Sequence, residues 1–159
     1  MKVNPDVVKN FPRIYELIIK FTEYGIKTPT WQEKITDEIS IVDAEPNKLV
    51  WEYKPRSDHC NPYQTVHGGC VATVIDVCSS IAILTHNGKV RWLHLGITTS
   101  LSITYFRGIR SGQTTRIECN VLHVGKTLAT VATKIYDQDG NLCYTGIQTK
   151  YCTDDRPKL

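Results

Sequence analysis

Residues 70–86 form the most apolar helix that the sequence predicts. Apolar side chains recur along it at the spacing of one helix face, at Val71, Val74, Ile75, Cys78, Ile81 and Ala82. The opposite face is nearly as apolar, and a helix that is apolar all round is buried inside a protein. The rest of the chain must therefore supply the layers that enclose this segment.

The segments on both sides of this helix are typical of β-strands. Two short strands before it are joined by the turn Glu45-Pro46-Asn47-Lys48. Four strand segments follow it, at residues 95–106, 114–124, 127–136 and 142–151, and the last two are joined by a strong hairpin sequence. One buried helix among about six antiparallel strands predicts an α+β fold in which the sheet wraps around the helix. An edge strand of such a sheet commonly pairs with a second copy of the chain.

The N-terminal part of the chain has a different pattern. Residues 5–26 carry apolar side chains at helical spacing, which predicts a helical extension before the sheet. Pro12 interrupts this pattern, so we expect a first turn to end there, a second helix to start near it and Gly25 to stop that helix. These patterns divide the chain into a helical extension over residues 1–30, a main domain over 31–153 and a tail over 154–159.

Composition narrows the possible classes of protein. The 159 residues suit one domain, and 41% hydrophobic with 22% charged residues is neither a disordered nor a membrane composition. No apolar run approaches the ~20 residues of a membrane span, and a net charge of +3 is too small to indicate nucleic-acid binding. No secretion signal is visible, and Glu16 and Glu23 argue against a mitochondrial presequence. We therefore expect an intracellular protein, cytoplasmic or mitochondrial, that is not secreted.

The six cysteines form no CxxC pair, and no Cys/His cluster has zinc spacing. We expect free thiols in a reducing compartment and no metal site. Cys70 and Cys78 lie in the apolar helix, where cysteine packs as a small hydrophobic residue, so we expect packing rather than a nucleophilic role.

The loop at 61–69 leads directly into the apolar helix and ends in His67-Gly68-Gly69. The first N–H groups of a helix have no internal partner, and the helix dipole makes that end positive. Two glycines allow a ligand oxygen to approach these N–H groups, which is the composition of an oxyanion hole. The alternative is that the glycines only make a tight turn into the helix. We expect His67 to hold the loop in position.

Asp76 is the second candidate for chemistry. Histidines aside, it is the only formally charged residue between Asp58 and Lys89, and its neighbours in the helix are apolar. A buried carboxylate needs a partner or a purpose, and burial makes it a good general base. The alternative is a structural aspartate bonded to a loop or to a second subunit.

Two other motifs suggest established classes of site and fail on detail. No Gly-x-Ser-x-Gly elbow supports a serine hydrolase. Gly125-Lys126-Thr127 resembles a P-loop, but it lacks the earlier glycine and lies between two predicted strands. It is predicted to be a hairpin turn, in which Lys126, with Arg107 or Arg110, could still contact a phosphate.

These motifs together resemble the signature of PaaI-type hotdog acyl-CoA thioesterases, which include small eukaryotic members. The resemblance covers roughly residues 35–152. It rests on Asn61, on the run from His67 to Asp76, on Ile103-Thr104-Tyr105, and on the segment 125–129, all in order and at similar spacing. It implies a hotdog fold, in which an antiparallel sheet wraps around one long helix, two subunits join edge to edge, and dimers often pair into tetramers.

The resemblance also implies roles for individual residues. The Gly68 N–H, assisted by Asn61, would polarise the thioester carbonyl while His67 supports the loop. Asp76 would reach in from the other subunit to activate water or attack directly, and Thr98 would help to hold the water. Gly69, Tyr63, Lys126 and Thr127 are the residues expected to contact the substrate. Thr98 stands where the family member compared has serine, and Tyr63 replaces a smaller aliphatic residue.

The reaction implied is hydrolysis of a medium- or long-chain fatty acyl-CoA, with no metal or redox cofactor, because coenzyme A belongs to the substrate. The N-terminal extension, with Pro12 and Trp31, would either cap an acyl tunnel or pack on the sheet. Side chains of the apolar helix, including Val74, Ile75 and Ile81, are expected to line the acyl pocket. The alternatives are a thioesterase for aromatic acyl-CoA, a non-catalytic acyl-CoA-binding protein and, with a poorer fit, a hotdog hydratase or dehydratase.

Overall fold

Helix α4 lies at the centre of the structure, a computed structural model that describes residues 1–27 and 31–154. It spans Gly68–Ala82 and continues as a 3₁₀ turn over Ile83–Thr85. The helix starts two residues before the predicted segment because the His67 side chain caps it, with ring Nδ1 accepting the Gly69 N–H at 3.0 Å. The stretch Gly68–Thr85 is long and apolar enough to cross a membrane, but 67% of it is buried inside the protein, as in the core helix of a soluble fold. The prediction of one long buried helix is therefore confirmed.

Seven strands form a single sheet against this helix. They are β1 (Lys2–Val3), β2 (Ile39–Glu45), β3 (Lys48–Tyr53), β4 (Ile97–Tyr105), β5 (Thr115–Val124), β6 (Leu128–Tyr136) and β7 (Leu142–Tyr151). Their order across the sheet is β1-β2-β3-β5-β6-β7-β4, and every neighbouring pair is antiparallel except β1 with β2. The six long strands match the predicted sheet. The two-residue β1 was not predicted, because a strand of this length leaves no alternating pattern.

Helix α4 packs on the concave face of the sheet and contacts β3 through β7. The core between them is made of side chains with at most 1% exposure, including Val74, Ile75, Ile81, Trp51, Ile117 and Val131. Strand β4 ends the order on one side, beside β7, so its second edge has no strand partner within the described residues. This free edge is the one next to the candidate site.

The N-terminal segment forms α1 (Pro5–Asn10), α2 (Pro12–Lys27) and the short α3 (Glu33–Thr36). Pro12 starts α2, as predicted, but α2 continues past Gly25 to Lys27, so the predicted stop at Gly25 is wrong: an isolated glycine weakens a helix without ending it. The extension is tied to the sheet through β1 and through Arg13, which donates to the carbonyl of Trp92 at 2.6 Å. The domain boundary at residue 30 and residues 155–159 of the tail lie outside the described residues.

The hairpin turns follow their sequence signals. Gly140 has a φ of +82°, and the Asp137 carboxylate accepts the N–H groups of Asp139 and Asn141 at 3.0 and 2.8 Å, which closes the β6–β7 turn. Between β5 and β6 the Gly125 N–H donates to Leu128 at 2.8 Å. The segment 125–127 is therefore a hairpin turn and not a phosphate loop, as predicted.

Candidate active site

The loop before α4 is held by the side chain of Asn61. Its Oδ1 accepts the backbone N–H groups of Tyr63 and Thr65 at 2.9 and 3.3 Å, and the Thr65 hydroxyl at 3.2 Å. The loop is pinned further where the Val66 N–H donates to Ile109 at 2.8 Å. The Asn61 Nδ2 group has no acceptor among the described residues, so it keeps two hydrogens to offer.

Gly68 begins α4 with an N–H group that has no acceptor within residues 1–27 and 31–154. The neighbouring Gly69 N–H donates to Nδ1 of His67, whose ring is exposed. Because Nδ1 accepts this bond, the proton of the neutral ring is on Nε2. The carbonyl of Gly68 accepts the Tyr105 hydroxyl at 3.0 Å, which fixes the first turn against the end of β4. The Gly68 donor at the positive helix end thus remains free, an arrangement that can stabilise an oxyanion.

Asp76 lies two turns further along α4 and is half-buried. Its Oδ1 accepts the Thr98 hydroxyl at 2.7 Å and also accepts from the Gln148 amide. Gln148 Nε2 donates to Thr98 Oγ1 as well, at 2.9 Å. The other oxygen, Oδ2, has no hydrogen-bond partner in the described part of the chain, so this carboxylate is held on one oxygen and open on the other.

Two serines and a lysine complete the surroundings of Asp76. The Ser79 hydroxyl has both Gln148 Oε1, at 2.5 Å, and the Ile75 carbonyl, at 2.6 Å, as acceptors within reach, while the amide N–H₂ of Gln148 faces Asp76. Lys150 Nζ donates to Ser80 at 2.7 Å and to Thr98 at 3.2 Å. Lys150 is 4% exposed, and burial lowers the pKa of its ammonium group while the nearby Asp76 opposes that shift.

A cleft of about 550 Å³ opens in front of the first turn of α4. The N-terminal segment forms one wall with Trp31, Lys34 and Ile35, and His67 and Gly69 lie on the other side. The Trp31 side chain is 81% exposed, and its Nε1 donates to Thr73 of α4 at 3.2 Å. This cleft is large enough for part of a small ligand.

The wall of the same cleft contains a buried chain of three polar side chains. His59 Nε2 lies 3.0 Å from the carbonyl of Lys34, and its Nδ1 lies 2.8 Å from the Tyr53 hydroxyl. The Tyr53 oxygen is 3.3 Å from Cys70 Sγ. Burial raises the pKa values of the Tyr53 hydroxyl and the Cys70 thiol, so Cys70 is a poor nucleophile at neutral pH. These three hydrogen-bonded side chains connect α3 to α4 and support the wall of the cleft.

The remaining predicted residues have exposed side chains. Lys126 and Thr127 are exposed in the β5–β6 turn, and Tyr63 is 87% exposed in the loop before α4. No disulfide joins any two of the six cysteines, all of which lie within the described residues. The expectation that Val74, Ile75 and Ile81 line an acyl pocket is wrong for the single chain, because they are at most 1% exposed and belong to the core.

The loop group and the Asp76 group are separated within one chain. Gly68 and Asp76 are eight residues apart on the same helix, about 12 Å along its axis at 1.5 Å per residue. A base that acts through one water reaches about 3 Å for each hydrogen bond. This axial separation is longer than two such hydrogen bonds placed end to end.

The structure adds five residues to the site that the sequence did not identify as site residues. They are Gln148, Lys150, Ser79, Ser80 and Tyr105. Gln148 and Lys150 alternate along β7 on the side that faces α4. Two long polar side chains at alternate positions of one strand could have indicated a buried polar site. The sequence of β7 does not show which of its faces points inward, because the rest of the sheet decides that.

Comparison with known proteins gives the family. The Thioesterase superfamily profile matches residues 63–144. Human acyl-coenzyme A thioesterase 13 is 33% identical over 121 residues, which are 75% of this chain and 83% of that protein.

Two solved structures of thioesterase superfamily member 2 are also similar. The zebrafish protein has a TM-score of 0.70 at 28% identity and covers 79% of this chain and 88% of its own. The mouse protein has a TM-score of 0.71 at 25% identity and covers 89% and 96%. These matches confirm the predicted hotdog fold, and with the matching profile they show that the chain belongs to the thioesterase superfamily.

Proposed function

We propose that the protein hydrolyses acyl-CoA thioesters by general-base catalysis, with Asp76 as the base and the Gly68 N–H as oxyanion donor. The observation that carries the proposal is the geometry at Asp76. One carboxylate oxygen is held by Thr98 and Gln148, and the other is open. A water bound to the open oxygen would be held in a fixed direction and would lose its proton to Asp76 as it attacks.

The thioester carbonyl is activated at the other group. As water adds, negative charge develops on the carbonyl oxygen, and the free Gly68 N–H is aligned with the positive end of the α4 dipole. Asn61 Nδ2 is a second donor from the same loop. Collapse of the tetrahedral intermediate breaks the C–S bond, and Asp76 returns its proton to the departing sulfur, which releases the carboxylic acid and the coenzyme A thiol and restores the carboxylate. The proposed reaction uses no metal or redox cofactor.

The 12 Å separation within α4 supports an active site made by two copies of the chain. The loop of one copy would face Asp76 of the other, across dimers that join at the free edge of β4. A homodimer with two interface sites, which pairs into a tetramer in solution, is therefore part of the proposal. The exposed residues Lys126 and Thr127, with Arg107 or Arg110, are suitable contacts for the phosphates of coenzyme A.

The proposed substrates are medium- and long-chain fatty acyl-CoA. The cleft in front of α4 starts at His67 and Gly69, next to the oxyanion donor, and leads toward Ile35 and Trp31. An acyl group attached to the reacting carbonyl would extend into it. An aromatic acyl group is the second candidate, favoured by the exposed indole of Trp31 at the rim, which could stack on a flat ring. An intracellular location suits both substrates and the lack of disulfides among the described cysteines.

The test is hydrolysis of a panel from acetyl- to palmitoyl-CoA, together with phenylacetyl-CoA, with release of free thiol as the readout. Asp76→Asn keeps the shape of the side chain and removes the base, so we expect kcat to fall about 100-fold or more. Asp139→Asn, which changes an exposed carboxylate in the β6–β7 turn, is the matched control and should retain wild-type activity.

The outcomes separate the candidate functions. Preference for long chains or for phenylacetyl-CoA identifies the substrate class. A wild-type protein that binds acyl-CoA but hydrolyses no member of the panel is a non-catalytic binding protein. Full activity in Asp76→Asn would show that the base is another group.

A further inference from the structure

Lys150 is the one buried lysine among the described residues. It lies on β7 and points into the space between the sheet and α4, with 4% of its surface exposed. A buried ammonium group is costly unless it is paired or hydrogen-bonded. A lysine in this place is not explained by packing, since an aliphatic side chain would fill the same space without that cost.

The contacts of Lys150 set the direction of two hydroxyl groups. An ammonium group has three donors and no acceptor, so each hydroxyl that it contacts must present a lone pair. Lys150 donates to Ser80 at 2.7 Å and to Thr98 at 3.2 Å. The two hydroxyl hydrogens therefore point away from Lys150. The Ser80 hydroxyl donates to the Asp76 backbone carbonyl at 2.5 Å, and the Thr98 hydroxyl donates to the Asp76 carboxylate at 2.7 Å.

We propose that Lys150 is a positioning residue for hydrolysis at Asp76, because its ammonium group and the Gln148 amide together occupy the lone pairs of the Thr98 hydroxyl and leave it the carboxylate to donate to. It acts through Thr98 and Ser80 and does not contact the substrate. Both hydroxyls contact Asp76, one at the carboxylate and one at the backbone, so Lys150 fixes the direction in which the open oxygen points. This role rests on the proposed thioesterase function.

The protonation of Lys150 makes this role dependent on pH. Helix α4 presents Asp76 and Ser80 to Lys150, β4 presents Thr98, and β6 presents Ala129 at the paired position. Asp76 is the titratable group among these. Burial lowers the pKa of Lys150 below its ordinary 10.5, and Asp76 partly offsets this. As pH rises through the lowered pKa, the amine becomes neutral and can accept from Thr98, so the bond from Thr98 to Asp76 is no longer enforced.

The experiment compares wild type with Lys150→Met, which keeps an unbranched side chain, one heavy atom shorter, and removes its donors. Lys134→Met is the matched control, since Lys134 is exposed on the neighbouring strand β6. The values of kcat and KM for one acyl-CoA are measured from neutral to alkaline pH. We expect kcat of Lys150→Met to fall about 10- to 100-fold with KM nearly unchanged, because a catalytic group that loses its alignment reacts more slowly without binding less substrate.

The pH profile separates positioning from a purely structural role. Wild type and Lys134→Met should lose activity at alkaline pH, whereas Lys150→Met should lack this alkaline limb. Lys150→Arg keeps a cation that does not titrate in this range, so it should recover part of kcat and also lack the limb. It carries the same test where Lys150→Met fails to fold, as judged by circular dichroism and gel filtration.

Two negative results have different meanings. A wild-type protein without thioesterase activity overturns the proposed function itself. An active wild type whose kcat and alkaline limb persist in Lys150→Met or Lys150→Arg overturns only the role of Lys150.

Discussion

At the scale of single residues, Gly68 separates the contribution of a backbone N–H from that of a missing side chain. A Cβ added at Gly68 would lie 3.6 Å from the Tyr105 ring, which is ordinary van der Waals contact. The fold therefore tolerates a side chain there. What the position offers to chemistry is the free N–H at the start of α4.

Gly68→Pro removes this N–H at the helix position where proline is most favoured. His67 before it is extended, with φ −60° and ψ 136°, which suits a residue that precedes proline. We expect Gly68→Pro to fold and to lose about 10²- to 10³-fold in kcat, the cost of one oxyanion donor. Gly68→Ala, which keeps the N–H, should retain far more activity in the same thiol-release assay. Equal losses in both variants would assign the effect to the added side chain and not to the N–H.

The residues around Asp76 show how far a sequence alone predicts a site. Asp76 stands out in the sequence as a lone carboxylate in an apolar helix, but its contacts with Gln148 and Lys150 depend on strands seventy residues away. By apolar alternation Ile147 would face the core and Gln148 the solvent. In the structure Ile147 is 51% exposed and Gln148 is fully buried. The polar cluster around Asp76 thus reverses the alternation of apolar inward and polar outward side chains by which a strand is normally interpreted. The cluster is visible only once the sheet is assembled.

At the scale of elements, the packing of α4 on β7 depends on Gly146. A Cβ at this position would lie 2.9 Å from Cγ2 and 3.2 Å from Cδ1 of Ile75, which is itself fully buried. The glycine thus allows the strand and the helix to approach closely, and this approach also brings Gln148 and Lys150 of the same strand against Asp76 and Ser80.

Gly146→Ala is therefore expected to overpack the core and lower the free energy of unfolding by about 1–3 kcal/mol. Urea denaturation measures the change as a shift of the midpoint at constant slope. Gly68→Ala is the glycine control, because its added methyl group meets Tyr105 at an ordinary distance and should change stability little. A Gly146→Ala variant as stable as wild type would show that Ile75 has room to move.

The elements were predicted with unequal success, for physical reasons. Strand β7 lies at the predicted bounds Leu142–Tyr151 because a strong turn signal and strand-forming residues agree there. The sequence predicts that helix α4 starts at Cys70, whereas it starts at Gly68. A histidine cap and two glycines have little helix propensity, so the sequence predicts a loop where the first turn lies. That first turn contains the proposed oxyanion donor, which lies where local propensity is weakest.

At the scale of the whole molecule, the sequence predicts the enclosing sheet because a helix apolar on all sides admits few other surroundings. It does not predict how the N-terminal segment packs, since α3 is four residues long and is held by the bond between His59 and the Lys34 carbonyl. This segment forms one wall of the cleft in front of α4. The proposed acyl-binding cleft is therefore bounded by the part of the fold that sequence patterns describe least well.

An active site made by two copies predicts that two inactive variants restore each other. Gly68→Pro and Asp76→Asn are each expected to be nearly inactive. In a dimer with one chain of each kind, one of the two interface sites combines the intact Gly68 N–H with the intact Asp76, and the other site carries both defects. Random pairing after joint unfolding and refolding gives hybrids in half of the dimers, so about a quarter of wild-type activity should return. Each variant refolded alone is the control, and gel filtration confirms the dimer. If Gly68 and Asp76 of the same chain served one site, no hybrid would contain an intact pair, and the mixture would stay as inactive as its components.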